Sequence, residues 1–316
     1  MRRLPRLLAA LLLTLNLSAH AADACPPNTP TPTPEQLTAA AANARDHGLL
    51  WRVSKGGRSA YLYGTVHVGK LDWVLPGPAL NKAWEDTDTL AVELDVSDAK
   101  TIRALTQDAP QLARPLDAPT QARLDAQVHA ACLPPQALAA LHPLMQVSTL
   151  AMLAGRWDEL DAGYAQEAML LTRARAEERR VVALETAQEQ LIALIPRDPK
   201  DVRRGIDDGL DQLERQQVRA PMLKLAQAWA DSDLPLLQRY EEWCDCVHDE
   251  SDRRYLHGLL EKRNPKMAER FVALHASGKR VLVAVGALHM IGPTGLPALL
   301  KKMGFTVERL VPAESP

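Results

Sequence analysis

The chain has 316 residues, 47% of them hydrophobic, which is enough for one large core or two small ones and reads as globular. Its 37 basic and 39 acidic side chains are nearly balanced, so no strongly basic face is left for a nucleic-acid partner. The apolar run from Leu7 to Leu17 is too short for a bilayer span, which takes about 20 residues, so no stable membrane anchor is expected.

That run follows Arg2, Arg3 and Arg6 and leads to the small residues Ala19 and Ala21, the layout of a cleaved secretory signal over residues 1–22. Cleavage near Ala21 or Ala22 makes the mature protein periplasmic or secreted, and removing three arginines leaves it at a net charge of −5. Ala22 and Asp23 before Cys25 spoil a lipid-attachment motif. Residues 23–34, rich in Pro and Thr, read as an extended tether to a single domain over 35–312. Four cysteines, Cys25, Cys132, Cys244 and Cys246, favour disulfides in an oxidising compartment, with three pairings open. A metal cluster at Cys244, Cys246 and His248 is the weaker reading.

Thr33-Pro34-Glu35-Gln36 has capping-box spacing with Pro at the first helical position and starts a helix that runs to about Asp46. Strands near 50–54 and 60–66 flank Lys55-Gly56-Gly57-Arg58, a hairpin signal of the longer-loop kind. A helix near 80–85 leads to a third strand, 89–94. Helical patterns fill about 99–180, and a fourth strand, 181–184, hands over through Thr186-Ala187-Gln188-Glu189, a second capping box. Helices then run through about 187–276, followed by strands at 280–285 and 306–310 around a helix closed by Gly304. The fold class is α/β, mixed α+β, a mostly β core covered by two large helical insertions.

Four of these apolar strands end in a polar group: His67, Glu93, Glu185 and His289. In an open sheet, ligands collect beyond the carboxyl ends of the strands, so parallel neighbours would aim all four groups into one pocket. Two imidazoles and a carboxylate make a three-ligand site for a divalent cation with a position open for water, while a second carboxylate moves the proton. A single histidine after a strand is more often a structural residue with a hydrogen-bond partner. Here two recur in matching contexts, Gly64-Thr65-Val66-His67 and Gly286-Ala287-Leu288-His289. Glycine three residues earlier lets another group approach closely. Glu93 stands directly after its apolar run, whereas Glu185 is equally explained by the positive start of the following helix. In "LLEKRNPKMAER", Asn264 before Pro265 reads as an N-cap, and Arg263 as a solvated helix end or as a fork for a substrate carbonyl or carboxylate.

The paired Gly-x-x-His motifs, with "VELD", "ALETAQEQL" and "KRNPKMAER" between them, resemble the TraB/PrgY/GumN family, relatives of the Tiki metalloproteases, over roughly residues 45–312. The resemblance implies a metal site at His67, Glu93 and His289, with Arg263 and Asn264 as the accompanying polar pair. It also implies manganese- or cobalt-dependent peptidase activity, and zinc suits the same donor types. Many members carry Gly-x-Asp before the "ALET" strand, where this chain has Gly163-Tyr164-Ala165-Gln166, so the acidic role is lost or moved to Glu167. The expectation is an exported metal-dependent hydrolase with Glu93, Glu185, Arg263 and Asn264 in catalytic roles and a peptide or other small envelope molecule as substrate. The alternatives are metal-free esterase chemistry and a non-catalytic envelope factor that binds polysaccharide or haem.

Overall fold

The computed structural model of the protein describes residues 25–29, 31–108 and 113–312, and the expected signal sequence with its cleavage point lies outside them. Strands Leu49–Lys55 (β1) and Arg58–Thr65 (β2) pair antiparallel with Lys55 opposite Arg58, so Gly56 and Gly57 alone make the turn. Both adopt positive φ, 60° and 73°, which a two-residue primed turn demands. The connection is therefore shorter than the expected loop, because a Gly-Gly pair lets both strands run to the corner without strain.

Thr89–Val92 (β3), Arg180–Ala183 (β4), Val281–Gly286 (β5) and Thr306–Val311 (β6) complete a six-stranded sheet in the order β4-β3-β5-β2-β1-β6. β4, β3, β5 and β2 run parallel, while β1 and β6 are antiparallel to their neighbours. β3 is buried throughout and β5 along all but its last residue, as expected of parallel strands with helices on both faces. The mixed α/β class holds, and the six expected strands appear with small shifts at their ends.

Helices cover the sheet where helical insertions were expected. Trp229, on helix Arg219–Ala230, is fully buried, donates its indole N–H to Gly64 O at 2.7 Å and stacks on His47. A satellite core around Leu124, Val147, Leu150, Ile206 and Leu210 joins helices Ala118–Ala130, Pro143–Ala154 and Pro199–Glu214. The first helix, Pro34–Ala42, has its Thr33–Gln36 capping box but stops short of Asp46. Asp46 instead turns its carboxylate to the N–H groups of Ala79 and Leu80, at 3.0 and 3.2 Å, at the start of helix Pro78–Glu85. Among the described residues no helix is long and apolar enough to cross a membrane.

All four cysteines are bonded, Cys25 to Cys132 and Cys244 to Cys246, so thiolates for a metal are not on offer. The first bond spans 107 residues, and Thr29 hydrogen-bonds to Asp161, so the Pro/Thr-rich segment is stapled to the helical cover. Replacing Cys25 and Cys132 together with serine is expected to remove about 4 kcal/mol of stability, from loop-closure entropy in the unfolded chain. Urea denaturation reads this directly; a loss below about 1 kcal/mol would mean that the staple constrains little.

Candidate active site at the ends of four parallel strands

Because β4, β3, β5 and β2 are parallel neighbours, their carboxyl ends share one edge of the sheet. The ladder between β4 and β3 continues past both strands, with Leu184 N–H on Val92 O at 2.7 Å and Glu185 N–H on Glu93 O at 2.9 Å. Glu185 and Glu93 are thereby side by side, and their side chains are 5% and 12% exposed. Two adjoining buried carboxylates need a cation, and Arg263 supplies it.

Arg263 precedes helix Asn264–Ala276. Its Nε donates to Glu185 Oε1 at 2.9 Å, and its Nη2 donates to Glu185 Oε2 and, at 2.7 Å, to Glu93 Oε2. Nη1 donates to Leu259 O at 2.8 Å and faces His289 Nε2 at 3.3 Å. A guanidinium has five N–H donors, and these contacts use all of them. Arg263 is thus a tie between the two acids and the helix, neither a solvated helix end nor a free fork for substrate.

His289 lies in the short 3-10 turn Ala287–Met290 after β5 and is 3% exposed. Its Nδ1 is 2.7 Å from Asn264 Oδ1, while Asn264 Nδ2 donates to Thr294 O at 2.9 Å. That orientation puts the proton on Nδ1 and leaves the Nε2 lone pair to accept from Arg263 Nη1, with Glu93 Oε1 3.7 Å away. Asn264 is therefore not the N-cap expected from its place before Pro265: it is the first helical residue, buried, and it orients the imidazole. Gly286 explains its half of the repeated motif. Its N–H donates to Glu93 Oε1 at 2.7 Å, and a Cβ there would come within 3.3 Å of the same oxygen.

The fourth strand end builds the other wall. Thr65, the last residue of β2, donates its hydroxyl to Glu167 Oε1, and His67 Nδ1 lies 3.5 Å from the same oxygen. Glu167 Oε2 is buried without a hydrogen-bond partner. The His67 ring is 68% exposed, the most accessible of the four expected groups. Gln190, on helix Ala187–Leu194, reaches Glu93 Oε2 at 3.4 Å.

Burial opposes the charge on Glu93, but the His289 and Arg263 side chains and the Gly286 N–H hold its carboxyl down to about 2. Burial pushes His289 down to about 4, so near neutral pH its Nε2 is a base. Glu167, and more weakly Glu93, draw His67 up to about 9, although solvent around its exposed ring screens part of that attraction.

The sequence profile of the TraB/PrgY/gumN family matches residues 49–309, which span the sheet except for the last two residues of β6 and include every group just described. The chain belongs to the TraB/PrgY/gumN family. It is similar to YbaP of Shigella flexneri and YbaP of Escherichia coli strain K12, both described as uncharacterized proteins. Each is 25% identical over 253 residues, covering 78% of this chain and 89% of the relative. No solved structure matches the chain.

The donor types of this TraB/PrgY/gumN site suit a divalent cation: the Nε2 lone pair, an ionised carboxylate and the unpartnered Glu167 Oε2. Among the described residues no three His, Cys, Asp or Glu side chains are gathered closely enough to hold a metal ion. Glu93 and His289 face each other, while His67 stands with Glu167.

Three contributors lie outside the set of site residues to which the sequence points. Glu167 was signalled only by the departure from Gly-x-Asp, and Gln190 had no signal beyond its helix. The third is Arg270, whose guanidinium grips both oxygens of Glu189 at 2.7 and 2.9 Å and donates to Leu184 O at 2.6 Å. Glu189 also closes the expected capping box with Thr186, so the clamp fastens the Asn264 helix to the backbone beside Glu185. Arg270→Ala is expected to cost about 2 kcal/mol. Arg270 leads the groups that hold the Glu189 carboxyl well below its ordinary 4.5. A depressed carboxyl contributes stability above its unfolded value and loses it as pH falls, so the wild type should lose its advantage over Arg270→Ala on acidification below about pH 4.5. Parallel urea midpoints at pH 7 and at acid pH check this, and an advantage independent of pH would overturn it.

Proposed function

We propose that this crevice is the active site of an exported, divalent-metal-dependent hydrolase of the peptidase kind, in which His67, Glu93 and His289 hold the cation. The observation that carries the reading is His289: its Nδ1 proton is taken by Asn264, and its Nε2 lone pair is turned toward Glu93 Oε1, 3.7 Å away. Two acceptors facing one another in a buried site suit a cation that would take the place of the Arg263 Nη1 contact on Nε2, and the Asn264 contact is the outer-shell partner that fixes a ligating imidazole. The ion's chemistry would be to lower the pKa of a bound water and polarise a carbonyl.

The protein's own groups do the rest. Arg263 and Gly286 N–H keep Glu93 ionised, and Glu185 balances Arg263. Glu167 Oε2, free of other partners, is placed to accept a proton from the attacking water and return it to the leaving group. The peptide class comes from the resemblance to the Tiki peptidases, and export is supported by the signal-like N-terminus and two disulfides.

The test is a peptide-library hydrolysis assay on the mature protein after exhaustive chelation and after return of manganese, cobalt or zinc, with elemental analysis of wild type beside His67→Ala. Metal-restored turnover, with the metal lost in the variant, supports the reading. Turnover that survives chelation would replace it with metal-free activation of water by His289 and Glu93. The absence of three gathered ligands among the described residues favours that second reading.

A further inference from the structure

The helical cover holds a cavity of about 710 Å³, within the range of small-molecule sites, at the satellite core and away from the strand ends. Its walls include Leu116, Ile195, Val202 and Ile206. His142 lines it and is 1% exposed. As the N-cap of helix Pro143–Ala154, His142 accepts the Leu144 N–H on Nδ1 at 3.2 Å, which places its own proton on Nε2. Five cations line the cavity against two carboxylates, Asp207 and Asp208. Arg203 and Arg204 are ion-paired, Arg203 with Asp207 at 2.6 Å, while Arg114, Arg197 and Lys200 have no ion pair among the described residues.

An imidazole in the cavity wall, three cations outside any ion pair among the described residues and an apolar wall together define a ligand with one charged end and one oily end. We propose that this cavity binds an amphipathic organic anion, its carboxylate or phosphate held by His142 Nε2, Arg114, Arg197 and Lys200, and its apolar body packed on Leu116, Ile195, Val202 and Ile206. The site is separate from the crevice, and its test does not depend on hydrolysis.

The experiment is calorimetric titration of the mature protein with octanoate, octyl phosphate and octanol. Both anions should bind at sub-millimolar concentration, with octanol about tenfold weaker or worse. The tighter of the two anions names the headgroup, and either ranking supports the site. Arg197→Ala with Lys200→Ala should weaken both anions about tenfold and leave octanol unchanged. His142→Asn keeps a good cap for the helix but withdraws the deep donor, and it should weaken the anions similarly. Equal affinity for octanol and octanoate, no binding of either anion, or anion binding indifferent to both variants would overturn the proposal.

Discussion

Arg263→Met should destabilise the protein by about 3–5 kcal/mol, the largest loss expected of any single substitution at the crevice. The side chains of Glu93, Glu185 and Arg263 are each no more than 12% exposed, so removing the guanidinium leaves two carboxylates facing each other with little water to screen them. The same argument fixes a second measurement. If the loss arises from uncompensated charge, adding Glu185→Gln to Arg263→Met should recover most of it, although each substitution alone is harmful. Urea midpoints for the four corners of this cycle read the coupling. Simple addition of the two losses would show that Arg263 acts by packing alone.

His289→Ala should lower metal-restored hydrolysis by on the order of 10²–10⁴-fold, because it removes the one neutral base that the fold has aimed at Glu93. Asn264→Ala keeps the imidazole but frees it to rotate and to move its proton, and a loss of about 10–100-fold in metal affinity is expected. Asn264→Asp retains an acceptor for the Nδ1 proton and should fall between wild type and Asn264→Ala. Metal content and turnover measured together separate the roles. Wild-type values in His289→Ala would end the proposal for the whole site.

The convergence of His67, Glu93, Glu185 and His289 on one edge was readable because each follows an apolar strand, and strand direction converts that pattern into position. What the pattern did not carry was side-chain commitment. The text "KRNPKMAER" shows an arginine and an asparagine at a helix start, and local rules assign them to solvent and to capping. Only the packing of that helix against β5 reveals that Arg263 is committed to Glu93 and Glu185 and that Asn264 faces His289. Glu167 was hidden for a related reason: it sits 100 residues from His67 in the chain, and nothing local links a helical glutamate to Thr65. Lys55 and Arg58 look like loop residues and suggest a longer connection, but they pair with one another and the Gly-Gly pair alone closes the turn.

The two borders of the sheet bear on behaviour in concentrated solution. On one side β4 offers a foreign strand only four residues to zip onto. On the other, β6 carries Glu308, ion-paired to Arg52, together with Arg309, and is followed by Pro312, which has no amide hydrogen to give. Brevity at one border and charge with a proline stop at the other are both poor templates for ribbon growth. Crowded native samples should therefore resist stacking into fibrils even though β3 and β5, between those borders, are almost wholly apolar.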